Sequence, residues 1–223
     1  MSEGFVDGTL VRAVGPSDLA WVARVHRAAF VRGALTQLGE EAVRRYYLWQ
    51  LEGPHDHFFR AAWRDGEPLG FCVSGISRGA VSGFLARNRT FLVLQVLRRP
   101  WLVSNALIRD RICVALRLLG GRHRPPEGTN ATRPPMWGIL SIALAPNAQG
   151  SGAASLLMDD AESEARRRGV DRMHLTVATD NARAIRFYEK LGWFKVPPGD
   201  GWGGRMEKVV APVVPAQCRS EEA

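Results

Sequence analysis

Leu140-Ser141-Ile142-Ala143-Leu144-Ala145-Pro146-Asn147-Ala148-Gln149-Gly150-Ser151-Gly152-Ala153-Ala154-Ser155-Leu156-Leu157 carries an apolar run into a helical pattern through a glycine-rich turn. The run begins at Trp137 and is stopped by Pro146, so Trp137–Leu144 predicts a buried strand. From Gly152 to Arg168, the residues Ala153, Ala154, Leu157, Met158, Ala161 and Ala165 fall on one helical face. Four acids (Asp159, Asp160, Glu162, Glu164) precede Arg166-Arg167-Arg168, the order that the helix dipole favours. Backbone N–H groups of such a turn, with the first free amides of the helix, form a cradle for an anion. Glycines at 150 and 152 let a phosphate approach without a Cβ in the way. A nucleotide-bearing ligand is therefore implied. A phosphate-binding P-loop would need Gly-Lys-Ser/Thr, and there is no lysine in the turn. A dinucleotide fingerprint would need a third glycine where Ser155 stands and an acid about 20 residues on. Neither pattern fits.

Outward from this stretch the chain reads as mixed α/β. Upstream come a strand at Thr9–Val14, helices at Leu19–Phe30 and Gly39–Gln50, and a hairpin of strands Phe58–Arg64 and Pro68–Ile76 turning at Asp65-Gly66. Downstream come a strand at Arg172–Ala178, a helix capped by Asp180 or Asn181 and running to Leu191, and strands at Trp193–Val196 and Arg205–Val210. Residues 1–210 are expected to be one domain, with 211–223 a loose tail. The 223 residues, 46% hydrophobic and 23% charged, exclude a disordered or fibrous chain. Cys72, Cys113 and Cys218 make no metal or disulfide pattern, and the N-terminus has no signal-peptide character. A cytoplasmic protein is the expectation.

Charge is uneven. Residues 77–126 hold ten arginines and one acid, Asp110, so this segment alone accounts for the net +8. Residues 77–135 are expected to be an insertion: a helical hairpin broken at Arg98-Arg99-Pro100, whose second arm Ala106–Leu119 is amphipathic, and then a linker. Only three of the thirty cations are lysines, so an arginine-rich codon usage accounts for part of this. The sharper alternatives are an acidic carrier protein, a membrane surface or a lid over the acceptor. A dimer interface or a self-packed hairpin is the structural alternative. No nucleic-acid motif is present.

The turn Gln149-Gly150-Ser151-Gly152-Ala153-Ala154 resembles the Q/R-x-x-G-x-G/A signature of the GNAT superfamily of acyl-CoA-dependent N-acyltransferases. Asn181-Ala182-Arg183-Ala184-Ile185-Arg186-Phe187-Tyr188-Glu189-Lys190-Leu191-Gly192-Trp193 resembles that family's second signature. The likeness covers about 137–197. It implies a central, mostly antiparallel mixed sheet of six to seven strands flanked by helices, with acetyl-CoA as co-substrate and no metal. It implies that Ile142, Ala143 and Leu144 pair through their backbones with the pantetheine arm. Gln149, Gly150, Ser151, Gly152, Ala153, Ala154 and Ser155 would hold the pyrophosphate. Asn181 would contact the pantetheine or order its helix, and Tyr188 would protonate the departing thiolate. The reaction would be direct attack of an amine within a ternary complex, with the Leu144 N–H stabilising the oxyanion.

Helical geometry adds that Asn181 and Tyr188 lie about two turns apart on one face, with Ala184, Phe187 and Leu191 expected on the core stripe. A phenol of pKa about 10 can donate to a nascent thiolate.

Two positions depart from the family pattern. Gly138-Ile139-Leu140-Ser141 has no acid where many relatives carry one, so the base is unassigned. Ser141 could order a water, and Glu40, Glu41, His55 and His57 are further candidates. Ser151 replaces the usual cation of the turn, leaving Gln149, the backbone or the arginines of the insertion to compensate. The expected reaction is acetylation of a small-molecule primary amine. Acetylation of a protein amine and a CoA-binding regulatory module are the alternatives.

Overall fold

The structure is a computed structural model that describes residues 4–6, 8–76, 80–99, 136–199 and 201–210. Eight strands form one sheet: β1 (Gly4–Val6), β2 (Thr9–Ala13), β3 (Asp56–Arg64), β4 (Glu67–Ile76), β5 (Trp137–Leu144), β6 (Arg172–Thr176), β7 (Phe194–Lys195) and β8 (Arg205–Val209). Their order is β1-β2-β3-β4-β5-β6-β8-β7. Every pair is antiparallel except β5–β6. This is the mixed, mostly antiparallel architecture expected. The three-residue β1 and two-residue β7 bring the paired strands to eight rather than six or seven.

The helices are α1 (Leu19–Ala29), α2 (Ala34–Gln37), α3 (Glu40–Glu52), α4 (Ala80–Arg87), α5 (Arg89–Arg98), α6 (Ala153–Arg167) and α7 (Ala182–Lys190). They sandwich the sheet. On one face α6 and α7 pack Leu157, Met158, Ala161, Ile185 and Tyr188 against Trp137, Met173, Leu175 and Met206. On the other, α1 and α3 pack Leu19, Val22, Val43 and Tyr47 against Phe59, Phe71 and Val73. Burying such side chains is worth roughly 1.5–3 kcal/mol each. Arg60 on β3 crosses this core to Asp160 on α6, at 2.8 Å.

Of the expected insertion, 80–99 lies among the described residues. The second arm Ala106–Leu119 and the linker lie outside them, as does the tail 211–223. The first arm is not one helix. It breaks at Asn88, whose Nδ2 donates back to the Phe84 carbonyl at 3.0 Å. The arm is seated on α3. Phe84 is buried with its ring edge-on to Tyr46 at 5.4 Å, and Arg45 lies over Phe91 at 4.3 Å. Arg99 donates to the Gln37 carbonyl at 3.0 Å. The short α2 went unread because four residues cannot display a helical period.

One irregularity shapes the functional end of the sheet. Val73 pairs with Ser141 but the next residue, Ser74, pairs with Ile139, so Leu140 is an extra residue in β5. Such a bulge bends its strand and sharpens the twist. Beyond it β5 leaves β6: the two pair only through Trp137, Gly138 and Ile139. On its other side β5 stays paired with β4 out to Leu144.

Candidate active site

The parting of β5 from β6 leaves one edge of residues 140–144 without a strand partner among the described residues. Unpaired strand N–H and C=O groups need a partner. An extended amide-bearing chain can supply one, which makes Ile142, Ala143 and Leu144 the candidate rail of the site. Ile142 and Leu144 face the α6–α7 side, and Ala143 faces α1 and α3.

At the end of the rail, Pro146–Ala148 makes a single 3-10 turn and the chain enters the glycine turn. Gly150 and Gly152 have φ of 84° and 83°, and nothing lies within 4 Å of where a Cβ would stand on either. The turn therefore needs glycine for its backbone, and the space above it is open. Ser151 Oγ accepts from the Ala153 N–H at 3.3 Å. Among the described residues, the amides of Gly150, Gly152, Ala154 and Ser155 have no partner. Ala153 is fully buried and anchors the helix start.

Two cations flank this turn, and the sequence reading missed both. Arg183, in the first turn of α7, donates to Gln149 Oε1 at 2.6 Å. Arg64 at the end of β3 donates to Thr9 Oγ1 at 2.9 Å and reaches the Ser151 carbonyl at 3.5 Å. The turn that has lost a cation at Ser151 is thus bordered by two others, brought from positions 87 residues upstream and 34 residues downstream of their contacts. No local pattern could have indicated them.

Asn181 caps α7: its Oδ1 accepts from the Ala184 N–H at 3.1 Å. It is exposed, while Tyr188 is 8% exposed. The core stripe of α7 is Ile185 and Tyr188, with Ala184, Phe187 and Leu191 only partly buried beside them. That corrects the expected stripe. Tyr188 sits between Phe187 and Trp193, at 5.3 and 6.2 Å, and Cys72, whose partner on β5 is Ile142, lies close enough to act on it. Burial first, and then the thiol, push the phenol well above its usual range. Its hydroxyl has no protein hydrogen bond among the described residues, so it is protonated and free to donate.

The candidate bases fare differently. Glu40 pairs with Arg27 at 3.0 Å. Glu41 is held below the usual carboxylate range by Arg44, with Arg45 adding to it, both at 2.8 Å. His55 lies edge-to-face with Trp49 at 5.2 Å. Burial lowers His57. Ser141 is engaged differently. Its Oγ lies 2.9 Å from Tyr47 Oη, which lies 2.7 Å from His26 Nδ1. Tyr47 is fully buried and His26 is 8% exposed. Burial brings His26 down to about 4, so its imidazole is neutral at neutral pH. Nothing local marks His26 or Tyr47 as site residues, because the hydrogen bonds that join them to each other and to Ser141 span 21 and 94 residues.

Among the described residues no cluster of His, Cys, Asp and Glu could hold a metal ion, and no helix is long and apolar enough to cross a membrane.

The family model for the acetyltransferase (GNAT) family matches residues 26–193. Among solved structures, the chain is similar to the PaiA N-acetyltransferase of Thermoplasma acidophilum in complex with coenzyme A. The identity is 15% and the TM-score 0.53, covering 90% of this chain and 98% of that one. It is similar to the ribosomal-protein-S18-alanine N-acetyltransferase of Escherichia coli, at 13% identity and TM-score 0.54, covering 93% and 97%. YncA of Salmonella typhimurium, solved with its cofactor acetyl-CoA, gives 17% and 0.51, covering 95% and 100%. At these identities the structural likenesses speak for the fold.

Proposed function

The chain belongs to the acetyltransferase (GNAT) family, and on that premise we propose that it transfers an acetyl group from acetyl-CoA to a primary amine of a small molecule. Three observations carry this: the edge of residues 140–144 that has no strand partner among the described residues, the open glycine turn at its end, and the buried Tyr188, in the same core cluster as Ile142 and Leu144. The pantetheine amides pair with Ile142, Ala143 and Leu144. The pyrophosphate sits on the free amides from Gly150 to Ser155, with Gln149, Arg183 and Arg64 around it. Asn181 fixes the start of the helix that carries Tyr188. The acetyl-CoA-bound and CoA-bound neighbours fit the same cofactor. In the reaction the amine nitrogen attacks the thioester carbon, the Leu144 N–H holds the oxyanion, and Tyr188 donates to the departing sulfur.

A small acceptor is favoured over a protein amine because the two acids that open α3 are already paired. Glu40 and Glu41 are paired with arginines, so they do not offer an acidic groove to a basic peptide. One neighbour acetylates a ribosomal-protein alanine, which makes a peptide the control acceptor. We place the enzyme in the cytoplasm, as one domain over 1–210 with 77–135 inserted. The basic segment within that insertion is left to contact an anionic partner or a second copy of the chain.

Acetyl-CoA at about 100 times its dissociation constant should add about 2.7 kcal/mol to stability. That is a rise in melting temperature of roughly 5–10 °C for a chain of this size. Scanning calorimetry with and without acetyl-CoA reads this directly. No rise would leave a CoA-binding reading without support. Release of free thiol with a panel of primary amines, and not with an Ala-initiated peptide, would then support the small acceptor.

Gly150→Glu tests the cradle. A side chain at φ 84° is strained by about 1–2 kcal/mol, and the carboxylate enters the anion site. CoA affinity should fall at least tenfold by calorimetric titration. Unchanged affinity would move the phosphates elsewhere.

A further inference from the structure

The catalytic reading leaves one proton unaccounted for. An amine that attacks a carbonyl must shed an N–H proton, and neither Glu40 nor Glu41 is free to take it. On the face of β5 away from Tyr188, Ser141, Tyr47 and His26 are joined in sequence by hydrogen bonds of 2.9 and 2.7 Å. The bulge at Leu140 is what puts Ser141 there. In a regular strand residue 141 would share the face of Ile139, against α6. The extra residue turns it toward α1 and α3 instead. Ser141 thus stands on the half of β5 whose edge is free, one residue before Ile142.

We propose that Ser141, Tyr47 and His26 form the exit path for the proton released by the attacking amine. The proposal rests on the catalytic reading above. A neutral imidazole with its proton on Nε2 accepts at Nδ1. Tyr47 then donates to His26, Ser141 donates to Tyr47, and the Ser141 lone pairs are left facing outward. As the amine nitrogen bonds to the thioester carbon, its proton passes to Ser141 Oγ. The serine proton moves to Tyr47 Oη, and the tyrosine proton to His26 Nδ1. The C–S bond breaks, its electron pair leaves on sulfur, and Tyr188 gives sulfur a proton. Solvent takes the proton from His26, in the last turn of α1, and Tyr188 regains one from water. Acid and base thus stand on opposite faces of one strand, so the proton leaving nitrogen and the proton reaching sulfur follow separate routes. Ser141 touches the reacting amine and is the catalytic member. Tyr47 and His26 act through it.

Hydroxylamine, small enough to enter an acceptor site of unknown shape, serves as the amine, with acetohydroxamate as the measured product. Tyr47→Phe keeps the ring in the core and removes both links, and Ser141→Ala removes the first. Each should lower kcat about tenfold while leaving the acetyl-CoA-induced rise in melting temperature unchanged. In mixtures of light and heavy water the wild-type kcat should fall along a curve, since several protons move together. For either variant the plot should become straight. A purely structural role would lower stability without straightening it. Two variants guard against one failing to fold. Near-wild-type kcat with the curvature retained would overturn the path alone. A wild-type enzyme that binds acetyl-CoA and acetylates neither hydroxylamine nor the amine panel would overturn the catalytic reading and the path together.

Discussion

Replacing Tyr188 by phenylalanine should lower kcat about 100-fold, equivalent to about 2.7 kcal/mol of transition-state stabilisation, and change acetyl-CoA affinity by no more than about twofold. The ring is a member of the α6–α7 core, between Phe187 and Trp193, and phenylalanine fills the same space. Only the hydroxyl is lost. General acids contribute roughly 10²–10⁴-fold, and a thiolate is a tolerable leaving group unaided, so the low end applies. The pH profile sharpens the test. Burial raises the phenol, so Tyr188 stays protonated through the mildly alkaline range. A loss of rate just above neutrality is therefore not its ionisation, and wild type and variant should share the same profile shape there. Steady-state kinetics decide the matter: a kcat within threefold of wild type would remove Tyr188 from the chemistry.

The second large effect is on stability. Arg60 has a side chain only 5% exposed. Its Nε donates to Asp160 Oδ2 at 2.8 Å and its Nη2 to the Val11 carbonyl at 3.1 Å. It therefore ties β3, β2 and α6 together beneath the site. Removing one member of a buried pair strands the other, typically at about 3–5 kcal/mol. Arg60→Leu should cost about 3 kcal/mol in urea unfolding at pH 8. Burial already raises the Asp160 carboxyl, with Arg60 working against it, so without Arg60 it rises further. A carboxyl raised in the folded state binds its proton more readily there than in the unfolded chain. The deficit should therefore shrink as pH falls toward 5. Arg60→Leu combined with Asp160→Leu should recover part of the loss at pH 8. A single-variant cost below about 1 kcal/mol would show that the pair is well replaced by solvent.

Much of this fold could be read from the sequence because local signals agreed with tertiary ones. Trp137–Leu144 was bounded correctly because an apolar run met a proline, and of the two expected caps, Asp180 and Asn181, it is Asn181 whose side chain caps the helix. The glycine turn was legible because a strand, a turn and a helix start are contiguous. What stayed hidden depends on long-range contact. The core stripe of α7 was assigned one position off, since a nine-residue helix with apolar residues at 184, 185, 187 and 188 and Leu191 at its C-cap offers two nearly equivalent stripes. The break at Asn88 combines a side chain turned back to the Phe84 carbonyl with the seating of Phe84 and Phe91 on α3. Arg64 and Arg183 reach the turn from different elements, β3 and α7, so no contiguous pattern links either to Ser151. Where many relatives carry a carboxylate, β5 has the Ser141 hydroxyl, bonded to Tyr47 of α3 and through it to His26 of α1.

The bulge at Leu140 gives β5 two parities. Odd-numbered Trp137 and Ile139 and even-numbered Ile142 and Leu144 all face the same helices. The strand is therefore two frames spliced at one residue, and the uniform apolar run seen in the sequence is what such a splice looks like when no alternation survives it. The splice point has the character of a reading-frame boundary. Losing or gaining one residue between 139 and 141 exchanges the inward and outward sets of everything that follows, rail and hydroxyl included. Paired changes that preserve the count leave them in place. In this strand, the number of residues is as strictly determined as their identity.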